Sequence, residues 1–181
     1  VFFGLAKPPI KKDTSLLKEE IVNVEVWTYD EPKLYTVQEL QLKNDTVRSF
    51  TTAIHLKHKQ LISIADSIYM DAQLGDKGNA PYALVRNATP YELPSQWTAR
   101  RYYDYKVINT ATGATQWEAK KLPRLRLSPK AKYGYGYSRI DSTWFTYNLQ
   151  SGKQNPLTRD SVFYNEENDY PNYPNAYGVT G

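Results

Sequence analysis

Hydrophobic and polar positions alternate in short runs along most of the chain, and turn-forming residues separate the runs. From Asn23 to Tyr29 the period is two, with Val24, Val26 and Thr28 on one face and Asn23, Glu25, Trp27 and Tyr29 on the other. That periodicity predicts a strand, ended by Asp30-Glu31-Pro32. Ser49–Leu56 and Gln60–Ala65 are β-prone runs joined by Lys57-His58-Lys59, which predicts a hairpin. Residues 71–81 read as a loop punctuated by Gly75, Gly78 and Pro81, and Tyr82–Val85 as the next strand. Thr89–Gln96, carrying Pro90 and Pro94, reads as a connection. Tyr102–Ile108 with Ala114–Ala119, and Thr143–Leu149 with Lys153–Thr158, predict two more hairpins. Between them lie short strands at Leu125–Leu127 and Lys132–Ser138, joined by a turn over Ser128–Ala131. Residues 1–5 are a short apolar run, residues 11–20 a loop or one brief helix, and the tail from Asn165 a loop. No long helix is expected.

The last two hairpins share a phrase. Asn109-Thr110-Ala111-Thr112-Gly113 and Asn148-Leu149-Gln150-Ser151-Gly152 both read Asn-x-x-[Ser/Thr]-Gly, and their glycines are 39 residues apart. A weaker third copy lies at His55–Lys59, where the glycine is replaced and an insertion must separate it from the second copy. A strand–turn–strand period near 40 is the mark of stacked β-modules, above all propeller blades. The expected class is therefore all-β: an open fragment of a larger β-propeller with about four blades of antiparallel strands. The blades are drawn at roughly 1–45, 46–86, 97–127 and 128–164, with the tail 165–181 leading to the next. An unrelated all-β sandwich is the weaker alternative. The start at Val1-Phe2-Phe3-Gly4, inside a strand-like run and without Met, fits a chain cut from a longer one.

Composition agrees with a sheet protein: 16 of 181 residues are Tyr and 14% are aromatic. The net charge of +4 is spread over Lys11-Lys12, Arg100-Arg101, Lys120-Lys121 and Arg124/Arg126, so nucleic acid is not the expected partner. There is no Cys, hence no disulfide, thiolate nucleophile or Cys-based metal site. No apolar stretch reaches the ~18 residues a membrane span needs. His55 and His58 are the only histidines, and two ligands around a turn are too few for zinc. No cofactor is expected. Gly136-Tyr137-Ser138-Arg139-Ile140 lacks the second glycine and the following helix of a nucleophile elbow, so Ser138 reads as a strand residue. Arg100-Arg101 beside Tyr102-Tyr103 reads as a strand with solvent-facing arginine stems. The four tryptophans read as packing residues.

Several segments, in order, resemble one family. Phe2-Phe3-Gly4 and Val24-Glu25-Val26-Trp27 are similar to its opening strands, and Asp104-Tyr105-Lys106-Val107 leading to Asn109 and Gly113 to a blade strand. Ser128-Pro129 before Lys132-Tyr133 is similar to its blade turn, although Lys130-Ala131 replaces the usual Asp-Gly. Trp144–Asn148, Ser151-Gly152-Lys153 and Pro156-Leu157-Thr158 resemble the next strand pair. Glu166-Glu167-Asn168-Asp169 with Pro171, Pro174 and Tyr177-Gly178 resembles the connection after it. Together they resemble the N-terminal β-propeller domain of bacterial prolyl oligopeptidase-family serine peptidases, of the dipeptidyl- or acylaminoacyl-peptidase type.

The resemblance implies a non-catalytic, substrate-gating portion of an enzyme that hydrolyses short peptides. Its catalytic partner would be a C-terminal α/β-hydrolase domain, which this chain does not contain, and a periplasmic or secreted location would follow. The alternative is a non-enzymatic propeller module that binds protein or glycan. Open blade edges would favour self-association. Glu166, Glu167 and Asp169 are the candidate substrate-binding residues, their carboxylates accepting from a peptide's terminal ammonium; a solvated acidic loop is the plainer reading. Replacing Glu166 and Glu167 by Gln in the full enzyme is expected to weaken binding of free-amine peptides. Unchanged kinetics would remove that assignment.

Overall fold

The computed structural model describes residues 1–8, 28–98 and 100–158, with isolated positions between 11 and 26. Of the strand expected over 23–29, Asn23, Glu25 and Trp27 fall outside this set, and the described Val24, Val26, Thr28 and Tyr29 are not in a strand. The described residues are mostly β-sheet, in three antiparallel sheets with two short helices.

The first sheet holds β1 (Phe2–Ala6), β2 (Ser49–His55) and β3 (Gln60–Ser63), with helix α1 (Tyr35–Thr46) in the link between β1 and β2. The second runs in chain order through β4 (Asp71–Leu74), β5 (Tyr82–Asn87), β6 (Tyr103–Asn109) and β7 (Thr115–Leu122). Helix α2 (Thr89–Thr98) fills the link between β5 and β6. The third is the meander β8 (Arg126–Leu127), β9 (Tyr133–Ser138), β10 (Thr143–Asn148) and β11 (Gln154–Pro156).

Several elements depart from the sequence expectation. Residues 71–74, read as loop, pair with β5 from Asp71↔Arg86 to Leu74↔Ala83. Residues 89–98, read as a proline-broken connection, are helical. Pro90 sits in the first turn, where a missing N–H costs nothing, and Pro94 forfeits one backbone bond in a ten-residue helix. The helix α1 was not expected at all. It buries none of its residues, and Leu40 and Leu42 are exposed, so it lacks the apolar stripe that periodicity detects. Its Gln, Glu, Leu and Lys residues are simply good helix formers. Strand pairing also puts the breaks between sheets after Ser63 and after Leu122, so the expected division at 86/97 falls inside the second sheet.

The two Asn-x-x-[Ser/Thr]-Gly turns are equivalent in detail, whereas the copy at His55–Lys59 closes through the His58 N–H on the His55 carbonyl at 3.2 Å and shares only the positive φ. In the second sheet the Asn109 side-chain oxygen accepts from the N–H groups of Ala111 and Thr112, at 2.9 and 3.2 Å. In the third, Asn148 accepts from Gln150 and Ser151 at 2.9 and 3.0 Å. Gly113 and Gly152 then donate to the carbonyls of Asn109 and Asn148, both at 2.8 Å, with φ of 76° and 69°. Positive φ is where glycine avoids the Cβ penalty. In the first sheet Lys59 takes that position at φ 50°. The insertion separating the first two copies is α2, inside the second sheet.

The central sheet is covered on both faces. Leu84, Tyr105 and Val107 pack with Leu125, Phe145 and Leu149 of the third sheet. Ala83, Val85 and Ile108 pack with Ala53, Ile62 and Ile64 of the first. Within the buried seam to the third sheet the Tyr105 hydroxyl accepts the Leu125 N–H at 2.8 Å. Burial pushes the Tyr105 phenol up to about 12. Its folded value thus exceeds the ordinary one of 10.0, so its contribution is intact below pH 10 and is lost as the pH rises toward 12. Denaturant midpoints are expected to fall across that window. Tyr105→Phe strands the Leu125 N–H, and should cost about 1–3 kcal/mol at neutral pH while flattening the alkaline decline.

Candidate functional site

The β8 strand is two residues long and pairs only with Gly134 and Tyr135, so its ladder ends before the far half of β9. A cleft of about 680 Å³ opens there, between the end of β7 and the β9–β10 hairpin. Its walls carry Arg100, Arg101, Lys121, Arg124, Arg126 and Arg139, against one carboxylate, Asp141. Tyr102, Tyr103, Tyr135, Tyr137 and Trp144 supply aromatic surface.

Each wall is held by a buried polar contact. Asp104, only 8% exposed, accepts from the Tyr91 hydroxyl at 2.6 Å and the Lys121 N–H at 3.0 Å. It thereby ties α2 to the β6–β7 pair. Pairing there steps from Tyr103↔Leu122 to Tyr105↔Ala119, so three residues of β7 oppose two of β6. This is a bulge, a device that re-aims a side chain. Lys121 accordingly has φ 55°, and its ammonium stands 5.8 Å from the Tyr102 ring centre. Burial, and then the bond to the Asp104 carboxylate, push the Tyr91 phenol up to about 12, so it stays a neutral donor.

The facing wall hangs on Leu125, which is fully buried. Its N–H goes to Tyr105 and its carbonyl accepts from Gln73 Nε2 at 3.4 Å. In extended chain, side chains alternate, so Arg124 and Arg126 share the side opposite Leu125. At the hairpin, Ser138 Oγ donates to Asp141 Oδ2 at 2.8 Å and accepts the Asp141 N–H at 3.3 Å. Tyr137 and Trp144, register partners, have ring centres 5.5 Å apart. The Trp144 Nε1–H is the one buried side-chain polar atom without a hydrogen-bond partner among the described residues.

A second cleft of about 730 Å³ lies between α1 and α2 and shares Arg101, Tyr102 and Tyr103 with the first. Gln96 Nε2 donates to the Pro32 carbonyl at 2.6 Å, and Lys33 lies 4.0 Å from Glu92. These contacts join the two helical links.

Glu166, Glu167 and Asp169 lie outside the described residues. Ser138 ends a strand and leads into a turn. His55 Nε2 bonds the Thr110 carbonyl at 3.0 Å, between the first and second sheets. Among the described residues no group of three His, Cys, Asp or Glu side chains is arranged to hold a metal ion, and no helix is long and apolar enough to cross a membrane. Arg100-Arg101, read as strand, precede β6 and line the cleft. The charge is dispersed along the sequence, and the fold gathers it. The only local hint was the mixture of Arg and Tyr at 100–103.

No family model, curated protein or solved structure matches the chain.

Asp104 is the most sensitive point of the site. Asp104→Ala leaves the Tyr91 hydroxyl and the Lys121 N–H without their acceptor and should cost roughly 1–3 kcal/mol. Amide exchange at Lys121 should accelerate with it, whereas an exchange rate equal to that of the parent would show the bulge to be held by other contacts.

Proposed function

We propose that this chain is the non-catalytic, substrate-gating propeller portion of a serine exopeptidase or oligopeptidase acting on short peptides. The observation that carries the propeller reading is a contact made twice. The turn closing β6–β7 docks on the first sheet, through His55 to Thr110 and through Gly113, whose absent Cβ leaves room for Ile62. The turn closing β10–β11 docks in the same way on the second sheet, where Trp117 Nε1 donates to the Leu149 carbonyl at 2.8 Å and Gly152 makes room for the indole. Inside each sheet the residue after the turn Asn bonds an equivalent carbonyl: Thr110 N–H to Pro81 and Leu149 N–H to Lys132. The same step applied from sheet to sheet is what generates blades about an axis.

On this reading the three links that follow β1, β5 and β9 project from one rim. They are the link bearing α1, the link bearing α2, and the short turn from Arg139 to Ser142. Both clefts open among these links. The rim would hold a peptide's end and exclude larger chains, while a separate α/β-hydrolase domain breaks the bond. The peptidase assignment draws on the family resemblance of the strands and turns. A non-enzymatic module that binds protein or glycan is the second reading, favoured by the exposed Trp97 beside the second cleft.

The test uses the full-length polypeptide. It should contain a Gly-x-Ser-x-Gly elbow followed by Asp and His in that order, be labelled by a fluorophosphonate at that Ser, and cleave short peptides but not folded proteins. A full-length polypeptide without the elbow, and unlabelled, would leave the binding module.

A further inference from the structure

The first cleft concentrates charge that the sequence disperses. Arg100 and Arg101 come from the link after α2, Lys121 from the bulge, Arg124 and Arg126 from the two sides of the Leu125 anchor, and Arg139 from the β9–β10 turn. None of Arg100, Arg101, Lys121, Arg124 and Arg126 is in an ion pair among the described residues. The lone acid in the wall, Asp141, is engaged by Ser138. Like charges held in one cleft repel, and an anion entering it is drawn by the whole set. Trp144 adds a buried Nε1–H that wants an acceptor.

The volume, about 680 Å³, is that of a small-ligand site rather than an extended track. A nucleic acid needs a groove along which successive bases stack and phosphates are followed. Here the cations line one cleft, and the half-buried Tyr137–Trp144 pair offers a single apolar platform. Guanidinium forks match a carboxylate with two parallel hydrogen bonds.

We propose that this cleft binds the carboxylates of a short acidic peptide, with Arg124 and Arg126 as the principal partners and the Tyr137–Trp144 pair covering the neighbouring side chain. The peptide identity rests on the function proposed above; the carboxylate chemistry rests on the cleft.

The experiment is a fluorescence-anisotropy titration of the protein with labelled tetrapeptides at low salt. One peptide carries Glu side chains and an amidated terminus, one carries neutral side chains and a free C-terminus, and one is the fully neutral Gln and amide isostere. At least one charged peptide is expected to bind about tenfold or more tighter than the isostere, with affinity falling as salt rises; whichever charged form binds identifies the source of the carboxylate. Arg124→Gln with Arg126→Gln should weaken that binding about tenfold. Lys57→Gln with Lys130→Gln, which removes the same charge away from the cleft, should leave it within about twofold. Equal affinity for the isostere, equal loss from the distal pair, or an oligonucleotide that displaces the peptide with affinity growing with length would each overturn the assignment. Hydrolysis of neutral peptides by the full-length polypeptide without any carboxylate preference would refute the cleft and keep the peptidase. Acidic-peptide binding without hydrolysis would do the reverse.

Discussion

Ala83, Leu84 and Val85 are consecutive in one strand and each is at most 1% exposed. In a pleated strand neighbours face opposite ways, so three in a row can be buried only if the sheet has a layer on each side. This requirement organises the rest. Leu84 turns toward Leu125, Phe145 and Leu149, while Ala83 and Val85 turn toward Ala53, Ile62 and Ile64. The second sheet buries one face through the third sheet's residues and the other through the first's. Side chains of this size contribute about 1.5–3 kcal/mol each when fully buried, which outweighs the small polar contacts along the seams.

Those polar contacts set position instead. Tyr105 to Leu125, Gln73 to Leu125 and Trp117 to Leu149 all run between the second and third sheets. They fix the register of segments whose apolar packing alone would tolerate a slip. The cationic cleft depends on that register. Arg124 and Arg126 flank the very residue that the Tyr105 hydroxyl holds, and Lys121 is turned toward Tyr102 by the bulge that Asp104 secures.

What could be read from the sequence was chemistry that acts locally. The Asn-x-x-[Ser/Thr]-Gly turns were legible because an Asn side chain and a positive-φ glycine make such a turn wherever they fall, and the substituted copy at His55–Lys59 keeps the positive φ at its last residue. The alternation in β9 and β10 was legible for the same reason. Elements whose stability comes from neighbours were not. The β4 segment, Asp-Ala-Gln-Leu, has weak strand preference and exists by pairing with β5. The prolines of α2 resembled punctuation, and α1 has no buried face to betray it. The cleft was hidden most completely, since its cations come from four segments between residues 100 and 139 and meet only after the sheets stack.

The three equivalent links differ greatly in length, from the stretch between Ala6 and Ser49 to the tight turn between Ser138 and Thr143. Yet the strands they join keep the same antiparallel neighbour relation. Additions at this place are therefore mechanically silent toward the layered interior. New residues can be spliced into the rim, altering its reach and its affinity for small molecules, while the scaffold beneath stays as it was.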